Sequence, residues 1–149
     1  MQQVLIQEKD FQKARKKINE AKKSGKEVVF SSNDDELNRK ILEKEDINVL
    51  LINMARRKDR MKQRDSGFNH VLAKLAEKKG IVIGINLDEI ISSKGKEKSE
   101  IIARTRQNVK LCNKNKLKMK FISTEKRDSY NLKSLGIVLG MPTWMTKGL

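Results

Sequence analysis

The sequence has one cysteine, Cys112, and one histidine, His70. A lone cysteine excludes a disulfide framework and a Cys-rich zinc site, and it fits a reducing compartment such as the cytoplasm. One histidine and one cysteine are too few for a hydrolytic zinc centre. No strand-like run is followed by GxGxxG or a Walker A loop, so a dinucleotide or P-loop site has no cradle. No nucleophile-elbow pattern accompanies His70, which leaves a Ser-His-Asp triad without support. Aromatic residues make up only 4%, so stacking of single-stranded bases is not the main binding mode. No apolar run approaches the ~20 residues of a membrane span. The first residues, MQQVLIQEKD, lack the long apolar stretch of a signal peptide.

Charge is what the chain has in excess. Against 19 acids stand 34 Lys and Arg, a formal net charge of +15. Such a surplus points to nucleic acid or an anionic membrane surface as partner. The 149 residues suit one domain, residues 1–149, with a single core. Apolar content is 37%, but it comes in periodic clusters, which argues against disorder.

Short apolar runs alternate with helical patterns. The runs are VLI at 4–6, EVVF at 27–30, NVLLIN at 48–53, IVIGIN at 81–86, KMKFIS at 118–123 and GIVLGM at 136–141. They are mostly continuous, as in strands covered on both faces. Between them, Asp10 can cap a first helix, with Phe11, Ala14, Ile18 and Ala21 on one face and Ser24-Gly25 at its end. Asn33 and Glu36 have capping-box spacing for a second. Ser66 can cap a third, with a stripe of Phe68, Val71, Leu72, Leu75 and Ala76 and a stop at Gly80. A fourth spans roughly 97–114, with Ile101, Ile102, Thr105, Val109 and Cys112 on one side and Arg104, Arg106, Lys110 and Lys114 elsewhere. A short helix near Tyr130–Leu135 precedes the last run. Repeated strand–helix–strand units mean a parallel sheet of about six strands. An open sheet and a reduced barrel both fit; a full (β/α)₈ barrel takes roughly 250 residues. Either way the functional surface belongs at the C-terminal ends of the strands.

Two basic segments fall at those ends. Residues 55–64, ARRKDRMKQR, carry six cations and one acid, and Ile102–Arg127 carries nine cations and only Glu125 as acid. For a single lysine a solvated face is explanation enough; two such segments sharing one sign point to phosphate neutralisation that is largely blind to sequence. Folded RNA read by backbone and shape fits best. Asp34, Asp35 and Asp88 leave a magnesium site open, although scattered acids at helix starts are more often caps. His70 lies opposite the apolar stripe of its helix, so it is either a solvated residue or a contact to RNA or protein.

The stretch FNHVLAKLAEKKGIVIGINLDEII, then a long basic helix, KFISTEK and RDSYNLKSLGIVLGM, resembles archaeal ribonuclease P protein component 3, counterpart of the thirty-kilodalton eukaryotic subunit. The likeness runs from Val28 to Met141 and is strongest from Phe68. Its Arg-Lys-Asp falls on Arg57, Lys58 and Asp59, its helix-opening histidine on His70, and its late motif on Arg127–Leu132 and Gly136. Ser129 replaces the family's proline and Asn131 its aspartate. The resemblance implies a TIM-barrel-like fold related to the polymerase-and-histidinol-phosphatase domain, here reduced or incomplete. It implies a ribonuclease P subunit that supports RNA-catalysed removal of 5′ leaders from precursor tRNA, with no catalytic residue or metal of its own. Mg²⁺ then belongs to the RNA-based holoenzyme. The implied partners are the ribonuclease P RNA, the ferredoxin-like component 2 and, indirectly, precursor tRNA. The candidate RNA contacts are Arg39, Arg56, Arg57, Lys58, His70, Lys79, Arg104, Lys126 and Arg127, with Arg57, His70 and Arg127 expected on one rim. The competing readings are a general basic RNA-binding accessory protein and an autonomous metal-dependent phosphoesterase.

Overall fold

The computed structural model describes residues 2–149. Five strands, β1 (Gln3–Gln7), β2 (Glu27–Ser31), β3 (Val49–Ile52), β4 (Val82–Asn86) and β5 (Met119–Ile122), form one parallel sheet in the order β1-β2-β3-β4-β5. Their connections carry α1 (Phe11–Lys23), α2 (Asp35–Lys44), α3 (His70–Lys79), α4 (Leu87–Ser92) and α5 (Gly95–Lys114). Helices α6 (Ser129–Val138) and α7 (Thr143–Thr146) follow the sheet. Among the described residues no helix is long and apolar enough to cross a membrane.

Strand order decides between the two architectures the sequence left open. A doubly wound sheet reverses direction, so that helices cover both faces. Here the order never reverses, and right-handed crossovers then send every helix to the same side. The result is a segment of barrel wall. Alternate residues divide accordingly. Val28, Phe30, Leu50, Ile52, Ile83, Ile85, Met119 and Phe121 join the main core with the helices. Val29, Val49 and Leu51, with Val82 and Ile122, form a second cluster on the other face. This explains the continuous apolar runs without a second helical layer: the sheet curls until its concave side buries itself. Lys120 on β5 reaches Glu27 on β2 at 3.6 Å across that concavity.

Gly84 lies on the concave face, beside Val49, Leu51 and Ile122. A Cβ there would lie 3.1 Å from Val49 Cγ1, 3.2 Å from Ile122 Cγ1 and 3.2 Å from the Leu51 Cα. The backbone atom cannot step aside, so Gly84→Ala is expected to destabilise the fold by about 1–3 kcal/mol, as overpacking does. Urea unfolding checks it: the midpoint should fall with the slope unchanged. An unchanged midpoint would mean that the concave face is loosely packed.

The sixth expected strand, 136–141, is the end of α6 and the turn after it. Asp128 caps that helix through the Tyr130 N–H, and Gly136 packs against Met141, Thr146 and Leu149. Ile137 and Val138 are 65% and 69% exposed, while Gly136, Leu139 and Met141 are buried, so the run shows one helical face to the core and the other to solvent. The short helix expected at Tyr130–Leu135 thus extends to Val138. Cap positions also moved. Asp34, not Asn33, caps α2, and Asn69, not Ser66, caps α3 by accepting the Leu72 N–H. Helix α3 therefore starts at His70, Phe68 plugs the core ahead of it, and Val71 is exposed while Ala73 takes the inward place. Asp10, Ser24 and Gly80 end their helices where the sequence placed them.

Candidate nucleic-acid interface

Residues 53–69, which join β3 to α3, leave the C-terminal end of the sheet and carry six cations against two acids. The segment is held at many points. Asn53 donates to Ser31 Oγ and to Asn33 Oδ1, both at 3.1 Å, and accepts from Asn86 at 2.9 Å, so polar side chains at the ends of β2, β3 and β4 are tied together. The Met54 N–H donates to Glu89 at 2.8 Å. Burial raises the Glu89 carboxyl above its ordinary value, and the N–H bonds of Met54 and Ala55 and the nearby Arg57 charge partly offset that. Arg57 donates to the Asn53 carbonyl at 2.7 Å and forks onto Asp35 at 3.0 and 3.1 Å. Gly67, at φ +69°, lets the chain pass beneath the Arg57 guanidinium, with which any Cβ would collide. Arg56 also has positive φ, +60°, a conformation a non-glycine residue holds only when its surroundings enforce it.

Helix α5 grips both legs of this loop from behind. Arg104 Nη2 donates to the Arg57 carbonyl at 2.9 Å and to Asp59 at 3.1 Å, and Nη1 reaches the Met54 carbonyl at 3.5 Å. Gln107 donates to the Arg64 carbonyl and to Ser66 Oγ, and Asn108 to the Ser66 carbonyl, each at 3.2 Å. The legs are also joined directly, since the Asp65 N–H donates to Asp59 at 2.8 Å. That bond, with help from Arg104, holds the Asp59 carboxyl below its ordinary value. Beyond this clamp Arg60 and Gln63 exchange backbone hydrogen bonds and close a small hairpin.

The nine sequence candidates separate on this geometry. Arg56, Lys58, His70, Lys126 and Arg127 are exposed at the C-terminal ends of the strands. Arg127 lies 3.3 Å from Glu125. Arg57, His70 and Arg127 do share that end of the sheet, but Arg57 is 9% exposed and already held by Asp35 and Asp65. It is a strut of the loop. Arg104, expected away from the apolar side of its helix, is 3% exposed and internal. Lys79 sits at the other end of α3, where its ammonium binds the carbonyls of Leu42, Glu43 and Glu45 and finishes α2. Arg39 is exposed beside Glu43 at 3.0 Å and borders, with Arg60, Arg64 and His70, a groove between α2, the loop and α3. Arg60, Lys62 and Arg64, part of the 55–64 basic segment but not of the nine named candidates, are all exposed.

Acids and the thiol have structural employment. Asp34 caps α2, Asp35 holds Arg57, and Asp88 accepts from Ser123 Oγ at 2.7 Å and the Thr124 N–H at 3.0 Å. Those bonds keep the Asp88 carboxyl below its ordinary value. Among the described residues no group of three or more His, Cys, Asp or Glu is gathered to hold a metal ion. Burial pushes the Cys112 thiol up to about 12, too high for a thiolate.

The family model for RNase P subunit p30 matches residues 1–146. The chain belongs to that family. Ribonuclease P protein component 3 of Methanococcus maripaludis strain C7 is 24% identical over 146 residues, covering 98% of this chain and 60% of that protein. The component 3 protein of Methanocaldococcus jannaschii is 26% identical over 131 residues, covering 88% and 53%. A chain in the cryo-EM structure of archaeal ribonuclease P with mature tRNA superposes with a TM-score of 0.74 at 21% identity, over 97% of this chain and 62% of that one. The fold is thus that of the archaeal subunit. The chain spans about half to three-fifths of the length of these curated relatives.

Proposed function

We propose that this chain acts as a protein subunit of ribonuclease P, binding the catalytic RNA and supporting removal of 5′ leaders from precursor tRNA. The observation that carries the reading is the 53–69 loop: a cation-rich surface at the C-terminal end of a barrel wall, fixed by buried side chains, in a member of the p30 family. Such a surface neutralises phosphates and positions RNA. The chemistry of cleavage is assigned to the RNA and its Mg²⁺. Asp34, Asp35 and Asp88 are engaged separately, as a helix cap, an ion-pair partner and a hydrogen-bond acceptor for the chain after β5, an arrangement that does not suit a metal centre. Component 2 is the proposed protein partner, precursor tRNA is met indirectly, and the setting is cytoplasmic.

Reconstitution tests this. The chain, component 2 and the ribonuclease P RNA of Methanococcus maripaludis are mixed with Mg²⁺ and 5′-labelled precursor tRNA. Leader release should need the RNA and should rise when the chain is added. Cleavage by the chain without RNA would replace the scaffold reading with an autonomous phosphoesterase. RNA binding with no gain in cleavage would favour a general RNA-binding accessory protein.

A further inference from the structure

The hairpin at 60–63 ends in Met61 and Lys62. Met61 is 99% exposed, the most exposed large apolar side chain among those described. A single exposed apolar residue ordinarily needs no explanation. This one differs in how its loop is held. Of residues 55–65 only Ala55 packs against the hydrophobic core, yet two buried polar residues one turn apart on α5, Arg104 and Asn108, and the half-buried Gln107 are spent on both legs of the loop. Arg104 Nε and Asn108 Oδ1 are buried without a partner. Apolar side chains at such a face are often as stable or more so. The clamp therefore serves the shape of the loop more than the stability of the core.

That shape is a narrow finger. Its base is tied by Asp59 to the Asp65 N–H, and its neck by the paired bonds of Arg60 and Gln63. Arg60, Lys62 and Arg64 flank the tip in sequence, and Arg60 and Arg64 also border the groove that contains His70. Cations beside an unpaired apolar tip are what a nucleic-acid wedge requires: the cations hold phosphates, and the apolar side chain enters between or against bases. Methionine suits this place. It is unbranched and polarizable, and its sulfur contacts aromatic faces favourably.

We infer that residues 58–64 form an RNA finger whose tip, Met61, packs against an unstacked base of a folded RNA while Arg60, Lys62 and Arg64 hold the adjoining phosphates. This rests on the RNA-binding reading and goes further: it gives one residue a base contact in a surface otherwise directed at backbone. The contact is apolar, so it does not release counterions, and its signature is separable from that of the cations.

Filter binding to the Methanococcus maripaludis ribonuclease P RNA, measured from low to high salt, separates the terms. Met61→Ala should weaken binding by about 3- to 10-fold at every salt concentration, leaving the log-log slope unchanged. Met61→Leu should stay within about 2-fold of wild type, because the apolar volume is kept. Lys62→Ala should instead lower the slope. Photo-methionine incorporated at the methionines should crosslink the 58–64 peptide to an unpaired nucleotide. Wild-type affinity in Met61→Ala, or a changed slope, overturns the finger but leaves RNA binding standing. Crosslinking of that peptide to component 2 in the reconstituted complex, and not to RNA, makes the tip a protein contact and also overturns it. Absence of RNA binding by the wild-type chain sinks the functional reading itself.

Discussion

Arg104→Ala should lower the unfolding free energy by about 3 kcal/mol and loosen the 53–69 loop, because it leaves buried carbonyls unpaired. The side chain is 3% exposed, and its fork spans the carbonyls of Met54 and Arg57 and the carboxylate of Asp59. The half-exposed Asp59 can return to water; the Met54 carbonyl, bonded within an otherwise internal segment, has less access to it. Arg104→Lys should recover only part of the loss, since one ammonium cannot reproduce two arms of a planar fork. Urea unfolding gives the stability. Hydrogen exchange at the amides of Arg60, Gln63 and Asp65 reports the loop, and protection there should fall more than in β3 or β4. An unchanged unfolding midpoint with weakened RNA binding would return Arg104 to the role the sequence suggested, a direct contact.

That residue also shows where the sequence was legible and where it was misread. At about 100° per residue, Ile101, Cys112, Thr105, Val109 and Ile102 span an arc of about 100°, and Asn108 and Arg104 fall about 20° and 60° beyond its Ile101 edge. The wheel alone therefore leaves Arg104 at the margin of the apolar arc. An arginine is rarely internal unless paired, so angle and charge together point it outward. The pairing was invisible because its acceptors are mostly backbone carbonyls of a loop distant in sequence. The pairing of Arg57 is invisible in the sequence for a related reason: Asp35 and Asp65 approach it only once α2 and the loop are in place. Strands were read well where the apolar run is β-branched and buried, as at 48–53 and 81–86, and the sheet was parallel as expected. The run at 136–141 has the same composition but follows an Asp128 cap and is broken at Gly140, φ +97°. Composition alone does not distinguish a buried strand from a half-exposed helix. Five strands in place of six leaves the barrel reading intact, since unreversed strand order and curl define it.

Replacing Arg56, Lys58 and Lys62 together by alanine should flatten the salt dependence of RNA binding by about 2 to 3 units of log-log slope, at ~0.9 per phosphate on a duplex. Near 0.1 M salt that corresponds to an affinity loss on the order of a hundredfold. Stability should hardly change, because all three are exposed and none forms a salt bridge with a described acid. The contrast is Arg57→Ala. It removes a nine-tenths buried strut from between Asp35 and Asp65, so it should lower the melting temperature and weaken binding only as far as the loop loses its shape. The triple variant and Arg57→Ala thus separate contact from support within one segment. If Arg57→Ala flattened the slope and left the melting temperature alone, the guanidinium would be reaching phosphate. The Asp35 fork would then be an arrangement that opens when RNA arrives. If the triple variant kept the wild-type slope, these three cations would be solvated in the complex, and the contacts would lie with other exposed cations such as Arg60, Arg64, Lys126 and Arg127.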